Sequence, residues 1–240
     1  MTEDRKPSVI LLDIEGTTTP ISFVYETLFP YARAHLKKLL AEHANDAELR
    51  CDLEQLLKEN EAEKSSDAPR ILQGCLPLQA FEYLVWLMDR DRKSTALKSI
   101  QGKIWQTGYA SGELRSTIFA DVPIAFERWD KEGRRVAIYS SGSMHAQRLL
   151  FQYSSVGDLT KWISAYFDTT SGAKTEAASY SRIAEALGVE PQEILFLSDS
   201  PAEINAARSA GIDVRFVVRS GNHSTPAAMR DLPCYSFDDL

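Results

Sequence analysis

An apolar run that ends in acids, VILLDIEGTTTP (residues 9–20), is the most informative segment of the chain. Val9–Ile14 is too short and too continuously apolar for an amphipathic helix, and it predicts a buried β-strand. Asp13 and Glu15 stand two residues apart at its carboxyl end, so both point the same way if the strand continues through them. The Gly-Thr turn that follows supplies free backbone N–H groups.

Four further apolar runs have the same character and predict four more buried strands: Val136–Ser140, Tyr166–Asp168, Ile194–Leu197 and Val214–Val218. Helical spacing of apolar residues predicts helices between them: Met144–Phe151, Ala177–Leu187 and Ala202–Ala210. Strands that alternate with helices pair in parallel through right-handed crossovers. The sequence therefore predicts an α/β fold with a parallel sheet core.

The segment between the first and second strands shows only helical periodicity. Its apolar faces include Leu49/Leu53/Leu56/Leu57, Phe81/Leu84/Val85/Met88 and Leu97/Ile100/Ile104/Trp105. About a hundred residues of helix are too many for a simple crossover. We therefore predict a core domain of residues 1–22 plus 119–240 and a helical subdomain of residues 23–118, placed over the sheet edge where the first strand ends.

Composition excludes several classes of protein. The 240 residues are 44% hydrophobic and 25% charged, which excludes wholesale disorder. The formal net charge of −7 argues against a nucleic-acid or anionic-membrane partner. Cys51, Cys75 and Cys234 fit neither a disulfide framework nor a zinc cluster. With no signal peptide and no apolar run long enough to span a membrane, we expect a soluble, cytoplasmic protein, and we expect a monomer.

Ligands of parallel α/β sheets bind at the carboxyl ends of the strands, so the residues there are the candidates for chemistry. A carboxylate such as Asp13 can attack phosphorus if a cation offsets the charge repulsion and a second group such as Glu15 protonates the leaving oxygen. Ser140 and Ser141 precede a helix and could bind an anion at its N-terminus. A solvated acidic turn and a set of helix-capping serines remain open as alternatives.

Two later segments could complete such a site. Lys174 lies between a strand and a helix N-terminus, where the helix dipole disfavours it, so a fixed positive charge for phosphate would explain its position. Asp199 ends an apolar strand and Glu203 follows one helical turn later, and oxygen ligands of this kind suit Mg²⁺. The alternatives are a surface lysine in a glycine-containing loop and a capping aspartate. His145 lies near a strand end and could approach the site.

In chain order, these elements resemble the haloacid dehalogenase superfamily: Asp13-x-Glu15-Gly-Thr, a strand ending in Ser140, a loop Lys174 and Asp199-x-x-x-Glu203. Most phosphatases of that superfamily carry Asp-x-Asp, and the glutamate here is a departure. ILLDIEGTTTPI (residues 10–21) is similar to the enolase-phosphatase E1 family of methionine salvage. Further matching pieces are DRKSTALK (91–98), Gln101-Gly102 with Trp105, YSSGS (139–143), Ala146-Gln147, YFDT (166–169) and ILFL (194–197).

The resemblance implies that 2,3-diketo-5-methylthiopentyl-1-phosphate is enolised and then dephosphorylated to the acireductone, with one Mg²⁺ per chain. Asp13 would be the nucleophile and a metal ligand, and Glu15 would be the general acid and a metal ligand through its backbone carbonyl. Asp199 would complete the metal site.

The remaining motif residues would serve the phosphate. Ser140 and Ser141 would bind the substrate, and Lys174 would neutralise the transferring phosphoryl group. Glu203 would orient Lys174 or a water. Because the acidic cluster alone would repel a phosphate, the site would need its cations.

Three other functions compete with this one. A phosphatase of the same fold could act on another small phosphate ester, although the Asp13-x-Glu15 variant and the pieces around residues 91–105 weigh against it. A carbon–halogen dehalogenase would need neither metal-binding acids nor a leaving-group acid at Glu15. A binding scaffold without activity would not need the intact set of Asp13, Lys174 and Asp199.

Overall fold

The computed structural model describes residues 6–43, 46–72, 78–222, 226–229 and 233–240. The chain divides into two compact units, Met1–Tyr25 with Arg115–Leu240, and Glu26–Leu114. The first unit contains the sheet, and the second is helical in its described residues. That the second unit acts as a cap stays a prediction.

The predicted parallel α/β fold is confirmed. The strands of the first unit are β1 (Val9–Leu12), β2 (Arg135–Tyr139), β3 (Ile163–Phe167), β4 (Ile194–Ser198), β5 (Asp213–Val217) and β6 (Pro233–Cys234). They form one sheet in the order β3-β2-β1-β4-β5-β6, with every pair parallel. β1 therefore lies between β2 and β4, which brings the carboxyl ends of these three strands together.

Strand ends differ from the sequence prediction at the edges of the sheet. β3 begins at Ile163, three residues before the predicted start. The prediction missed these residues because the exposed Ser164, at the edge of the sheet, interrupts the apolar run. β6 was not predicted, since two residues that include Pro233 carry no strand signal and proline is confined to edges. β1 ends at Leu12, but the amide of Asp13 still donates to the carbonyl of Leu197 at 3.0 Å.

Four helices of the first unit, numbered in chain order after the four of the second unit, connect these strands: α5 (Asp121–Lys131), α6 (Met144–Gln152), α7 (Ala177–Leu187) and α8 (Pro201–Ser209). Tyr180 on α7 is fully buried, with its ring edge-on to Tyr139 and Phe196 at 5.5 and 5.1 Å. Trp129 on α5 is also fully buried and packs 5.7 Å from Phe237. These large apolar side chains fix the helices on the sheet and hold its carboxyl edge in place.

The helices of the second unit are α1 (Phe29–Glu42), α2 (Ala47–Ala62), α3 (Leu78–Asp89) and α4 (Thr95–Ser111). A π-helical segment, Phe23–Leu28, precedes α1 and begins in the first unit. Gly108 on α4 has a clear packing reason, because a Cβ there would lie 2.6 Å from the ring of Tyr31 on α1. Among the helices in the described part of the chain, none is both long and apolar enough to cross a membrane.

Candidate active site

The carboxylate of Asp13 lies at the carboxyl end of the central strand β1 and is nearly inaccessible, with the residue 3% exposed. Its neighbours across the sheet are the ends of β2 and β4, where Ser140 and Asp199 follow the strands. The sequence prediction placed all three residues at strand ends, and the parallel strand order places those ends side by side.

In the turn after Asp13, one carbonyl oxygen accepts several backbone amides. The carbonyl oxygen of Ile14 accepts the amides of Thr17, Thr18 and Thr19 at 3.2, 3.0 and 3.0 Å. Gly16 has a φ of +70°, and a Cβ at this position would lie 2.2 Å from Oδ2 of Asp199. A glycine is therefore required, because only a residue without a side chain allows the Asp199 carboxylate to approach the turn.

Lys174 is the cation of this cluster. Its Nζ donates to Oδ1 of Asp13 at 2.5 Å and lies 2.7 Å from Oε2 of Glu203. Burial alone would lower the pKa of Lys174, but the negative charges of Asp13 and Glu203 outweigh it and hold the pKa above its ordinary value. The hydroxyl of Tyr180 donates to the carbonyl of Lys174 at 2.7 Å and fixes the backbone that carries it.

Ser198, the last residue of β4, joins the two acids that contact Lys174. Its hydroxyl lies 2.8 Å from Oε2 of Glu203 and 3.4 Å from Oδ2 of Asp13, and it accepts the amide of Ser200 at 3.1 Å. Burial, and then the charge of Asp13, raise the pKa of Glu203 above its ordinary value. Asp13, Lys174, Ser198 and Glu203 thus form one connected polar network, which fixes the direction of each side chain.

Asp199 forms no ion pair with a lysine or arginine among the residues that the structure describes. Burial, and then the charge of Asp13, raise the pKa of Asp199 to about 7, although Lys174 opposes the shift. Among the residues that the structure describes, no group of three or more His, Cys, Asp or Glu side chains is placed to hold a metal ion. Two carboxylates supplemented by backbone oxygens fit Mg²⁺, which binds one or two carboxylates and keeps waters or phosphate oxygens as its other ligands.

Ser140 and Ser141 lie in the loop between β2 and α6. Ser140 is buried, its amide donates to the carbonyl of Phe167 at 3.2 Å, and its hydroxyl accepts the amide of Gly142 at 3.2 Å. Ser141 is half-buried. Ser143 caps α6 by accepting the amide of Ala146 at 3.2 Å, so the capping alternative holds for Ser143.

Comparison with known proteins agrees with this geometry. The model of the haloacid dehalogenase-like hydrolases matches residues 7–211. Enolase-phosphatase E1 of Synechococcus elongatus is 49% identical over 97% of this chain and 97% of its own length. The chain belongs to the enolase-phosphatase E1 family. The family member of Drosophila pseudoobscura pseudoobscura is 46% identical over 92% of this chain and 88% of its own.

A solved structure has the same fold. The UTR4 protein (unknown transcript 4 protein) of Saccharomyces cerevisiae superposes with a TM-score of 0.80 at 36% identity, covering 98% of this chain and 100% of the yeast chain. The predicted family, the haloacid dehalogenase-like α/β fold and the function as an enolase-phosphatase of methionine salvage (an acireductone synthase) are confirmed. Enzymes of this family are generally metal-dependent.

The sequence prediction did not assign a role to Ser198 or Gln147, which position groups of this enolase-phosphatase site. Ser198 ends a strand like many serines, and its contacts with Asp13 and Glu203 depend on the sheet order. Gln147 on α6 is buried, and its Nε2 donates to the carbonyls of Gly142 and Phe167 at 2.8 Å each, which ties the loop of Ser140 to the end of β3. Its only sequence signal was its place among the pieces that resemble the family.

Other residues singled out in the sequence lie apart from this network. His145 is exposed on the first turn of α6. Cys51 is an exposed and Cys234 a buried free thiol, whereas Cys75 lies outside the described residues. Asp168 directly follows β3. Its carboxylate accepts the amide and hydroxyl of Thr170 at 2.9 and 2.6 Å, so the side chain caps the short turn that begins there.

Proposed function

We propose that this chain enolises 2,3-diketo-5-methylthiopentyl-1-phosphate and then hydrolyses its phosphate through an aspartyl-phosphate on Asp13, to give the acireductone 1,2-dihydroxy-3-keto-5-methylthiopentene. The observation that carries the proposal is the buried Asp13 carboxylate, held by Lys174 at the end of β1 beside Asp199. The names of the relatives supply the pair of activities.

Asp13 is the nucleophile in the phosphatase half. One of its oxygens bonds to phosphorus while the bond from phosphorus to the ester oxygen breaks, and Glu15 protonates the leaving oxygen. Water then attacks the phosphorus of the acyl phosphate and gives its proton to Glu15, which releases inorganic phosphate and regenerates Asp13. The contact of Lys174 with Oδ1 of Asp13 supports its role as the charge that neutralises the transferring phosphoryl group.

Asp13, Asp199 and the backbone carbonyl of Glu15 would hold one Mg²⁺. When bound, the ion polarises the substrate carbonyl for loss of the neighbouring proton and offsets the charge of the phosphoryl group. The surroundings of Asp199 support the proposal. Burial and then the charge of Asp13 raise its pKa, so a cation bound between the two carboxylates would stabilise the charged form of both.

Ser140 and Ser141 bind the phosphate oxygens in this proposal. Their loop precedes α6, whose N-terminus favours an anion, and the contacts of Gln147 keep the loop in one conformation. The substrate is then a small phosphorylated diketone. Cytoplasmic location and a monomeric state stay predictions from the sequence.

One assay tests both half-reactions. The protein is incubated with the diketo phosphate and Mg²⁺, and the ultraviolet absorbance of the enol and the released phosphate are followed together. Asp13→Asn should abolish phosphate release, because an amide does not form the acyl phosphate. The matched control is Asp168→Asn, a strand-end acid in a local cap, which should retain activity.

The outcomes separate the candidate functions. Full phosphate release by Asp13→Asn would remove the proposed nucleophile. If the wild-type protein neither enolises nor dephosphorylates the diketo phosphate but cleaves another small phosphate ester, the alternative phosphatase is correct.

A further inference from the structure

The turn of residues 16–18, directly after Glu15, accepts hydrogen bonds at its carbonyl groups from residues that are distant in the sequence. Asn222 Nδ2 donates to the carbonyl of Gly16 at 2.8 Å, and Nε of Arg219 donates to that of Thr17 at 3.3 Å. The amide of Phe119 donates to the carbonyl of Thr18 at 3.0 Å. Three consecutive peptide groups next to Glu15 therefore have a donor from a distant part of the chain.

Arg219 is itself fixed on several sides. Its NH1 lies 2.7 Å from Oδ2 of Asp121, and the two side chains are only 7% and 11% exposed. The guanidinium carbon lies 4.6 Å from the ring centroids of both Phe119 and Phe237. A planar guanidinium stacks on aromatic faces and donates in a rigid fork, so this side chain has little freedom to move.

Asn222 contacts the turn on the side of the proposed metal site. A Cβ on Gly16 would lie 2.2 Å from Oδ2 of Asp199 and 3.1 Å from Nδ2 of Asn222, so both side chains pack against this one glycine. The amide of Asn222 donates to the carbonyl of Arg219 at 3.1 Å, which closes the short turn after β5 and links the two donors.

We propose that Arg219 and Asn222 are positioning residues of the enolase-phosphatase reaction, acting through the carbonyls of Gly16 and Thr17. The inference rests on the proposed function, since these two carbonyls belong to the turn that directly follows Glu15, the proposed general acid. Both residues lie beyond residue 211, outside the segment that matches the hydrolase model. Displacement of a catalytic group by about 1 Å costs on the order of 100-fold in rate, so a small movement of this turn is sufficient for a large effect.

The primary test compares Asn222→Leu with the wild-type protein. Leucine keeps the approximate volume but removes the donor to Gly16. We expect kcat for phosphate release to fall on the order of 10- to 100-fold, with KM changed by less than about threefold and an unchanged thermal midpoint. The matched control is Asn205→Leu, an exposed asparagine on α8, which should retain full kcat.

Arg219→Lys is the second variant. Lysine keeps the charge beside Asp121 but loses the planar fork, so kcat should fall as in Asn222→Leu while the protein remains folded. Urea unfolding of this variant distinguishes loss of position from loss of fold. Wild-type kcat in both folded variants would overturn the proposal.

Beryllofluoride with Mg²⁺, a phosphoryl analogue that binds a nucleophilic aspartate, gives a readout independent of the diketone. Its bound signal in fluorine NMR should be present in the wild-type protein and Asn205→Leu and weakened at least tenfold in affinity in Asn222→Leu. If Asn222→Leu bound beryllofluoride as tightly as the wild-type protein, the positioning role would be contradicted. Absence of both binding and turnover in the wild-type protein would instead remove the proposed function, and this inference with it.

Discussion

Lys174 and Asp13, 161 residues apart in the chain, are joined by a contact of 2.5 Å between Nζ and Oδ1. Oε2 of Glu203 lies 2.7 Å from the same amine. One buried cation thus serves two carboxylates, and the phosphoryl group would enter beside them. The Lys174 amine therefore compensates part of the negative charge of Asp13 and Glu203 even without a metal ion.

Replacement of this amine should stop the phosphatase reaction. Lys174→Met retains a long apolar side chain but removes the charge, so we expect phosphate release to fall by about 100- to 1,000-fold, as when a donor to a developing charge is lost. Steady-state assay of released phosphate measures the effect. Lys131→Met, which alters an exposed pair with Glu127, is the control and should be neutral. A loss of less than about threefold in Lys174→Met would argue against its assigned role.

Metal removal should stop both half-reactions. Because the Asp199 carboxylate is buried near the charge of Asp13, and forms no ion pair with a lysine or arginine among the described residues, added Mg²⁺ should bind there and raise the thermal midpoint of the wild-type protein. EDTA should abolish enol formation and phosphate release together. Asp199→Asn should lose most of the Mg²⁺-dependent thermal shift, whereas Asp213→Asn, exposed at the start of β5, should keep it. Enolisation that persists in EDTA would show that the two steps do not share a cation.

The sequence predicted the elements that carry strong local signals. Apolar runs such as Val9–Ile14 predicted the central strands, and the acids at their ends lie together because parallel strands share one carboxyl edge. The features that the sequence did not predict depend on contacts between residues far apart in the chain. Asn222 contacts the carbonyl of Gly16 across 206 residues, and no periodicity marks a side chain whose partner is a backbone oxygen. β6 was missed because its two residues bury too little apolar surface to leave a pattern.

Gln147 should control phosphate affinity through the loop of Ser140. Gln147→Glu replaces the amide that donates to Gly142 and Phe167 with a carboxylate facing two carbonyl oxygens, so the loop should move. We expect the KM for the phosphate ester and the inhibition constant for inorganic phosphate to rise about tenfold, equivalent to about 1.4 kcal/mol. The control is Gln152→Glu, exposed at the end of the same helix. Unchanged phosphate inhibition in Gln147→Glu would show that the loop does not depend on this amide.

Stability of the helical unit should depend on Glu59 of α2. Its carboxylate accepts the hydroxyl of Ser94 at 2.5 Å and the amide of Ala96 at 3.3 Å, which joins α2 to the first turn of α4. A negative charge at this position also interacts favourably with the dipole of α4. Glu59→Ala leaves these donors without a partner, so we expect a loss of about 1–3 kcal/mol in the free energy of unfolding, measured with urea. Glu54→Ala, an exposed change on the same helix, should alter the free energy by less than about 0.5 kcal/mol. Equal stability of the two variants would mean that solvent replaces the carboxylate without cost.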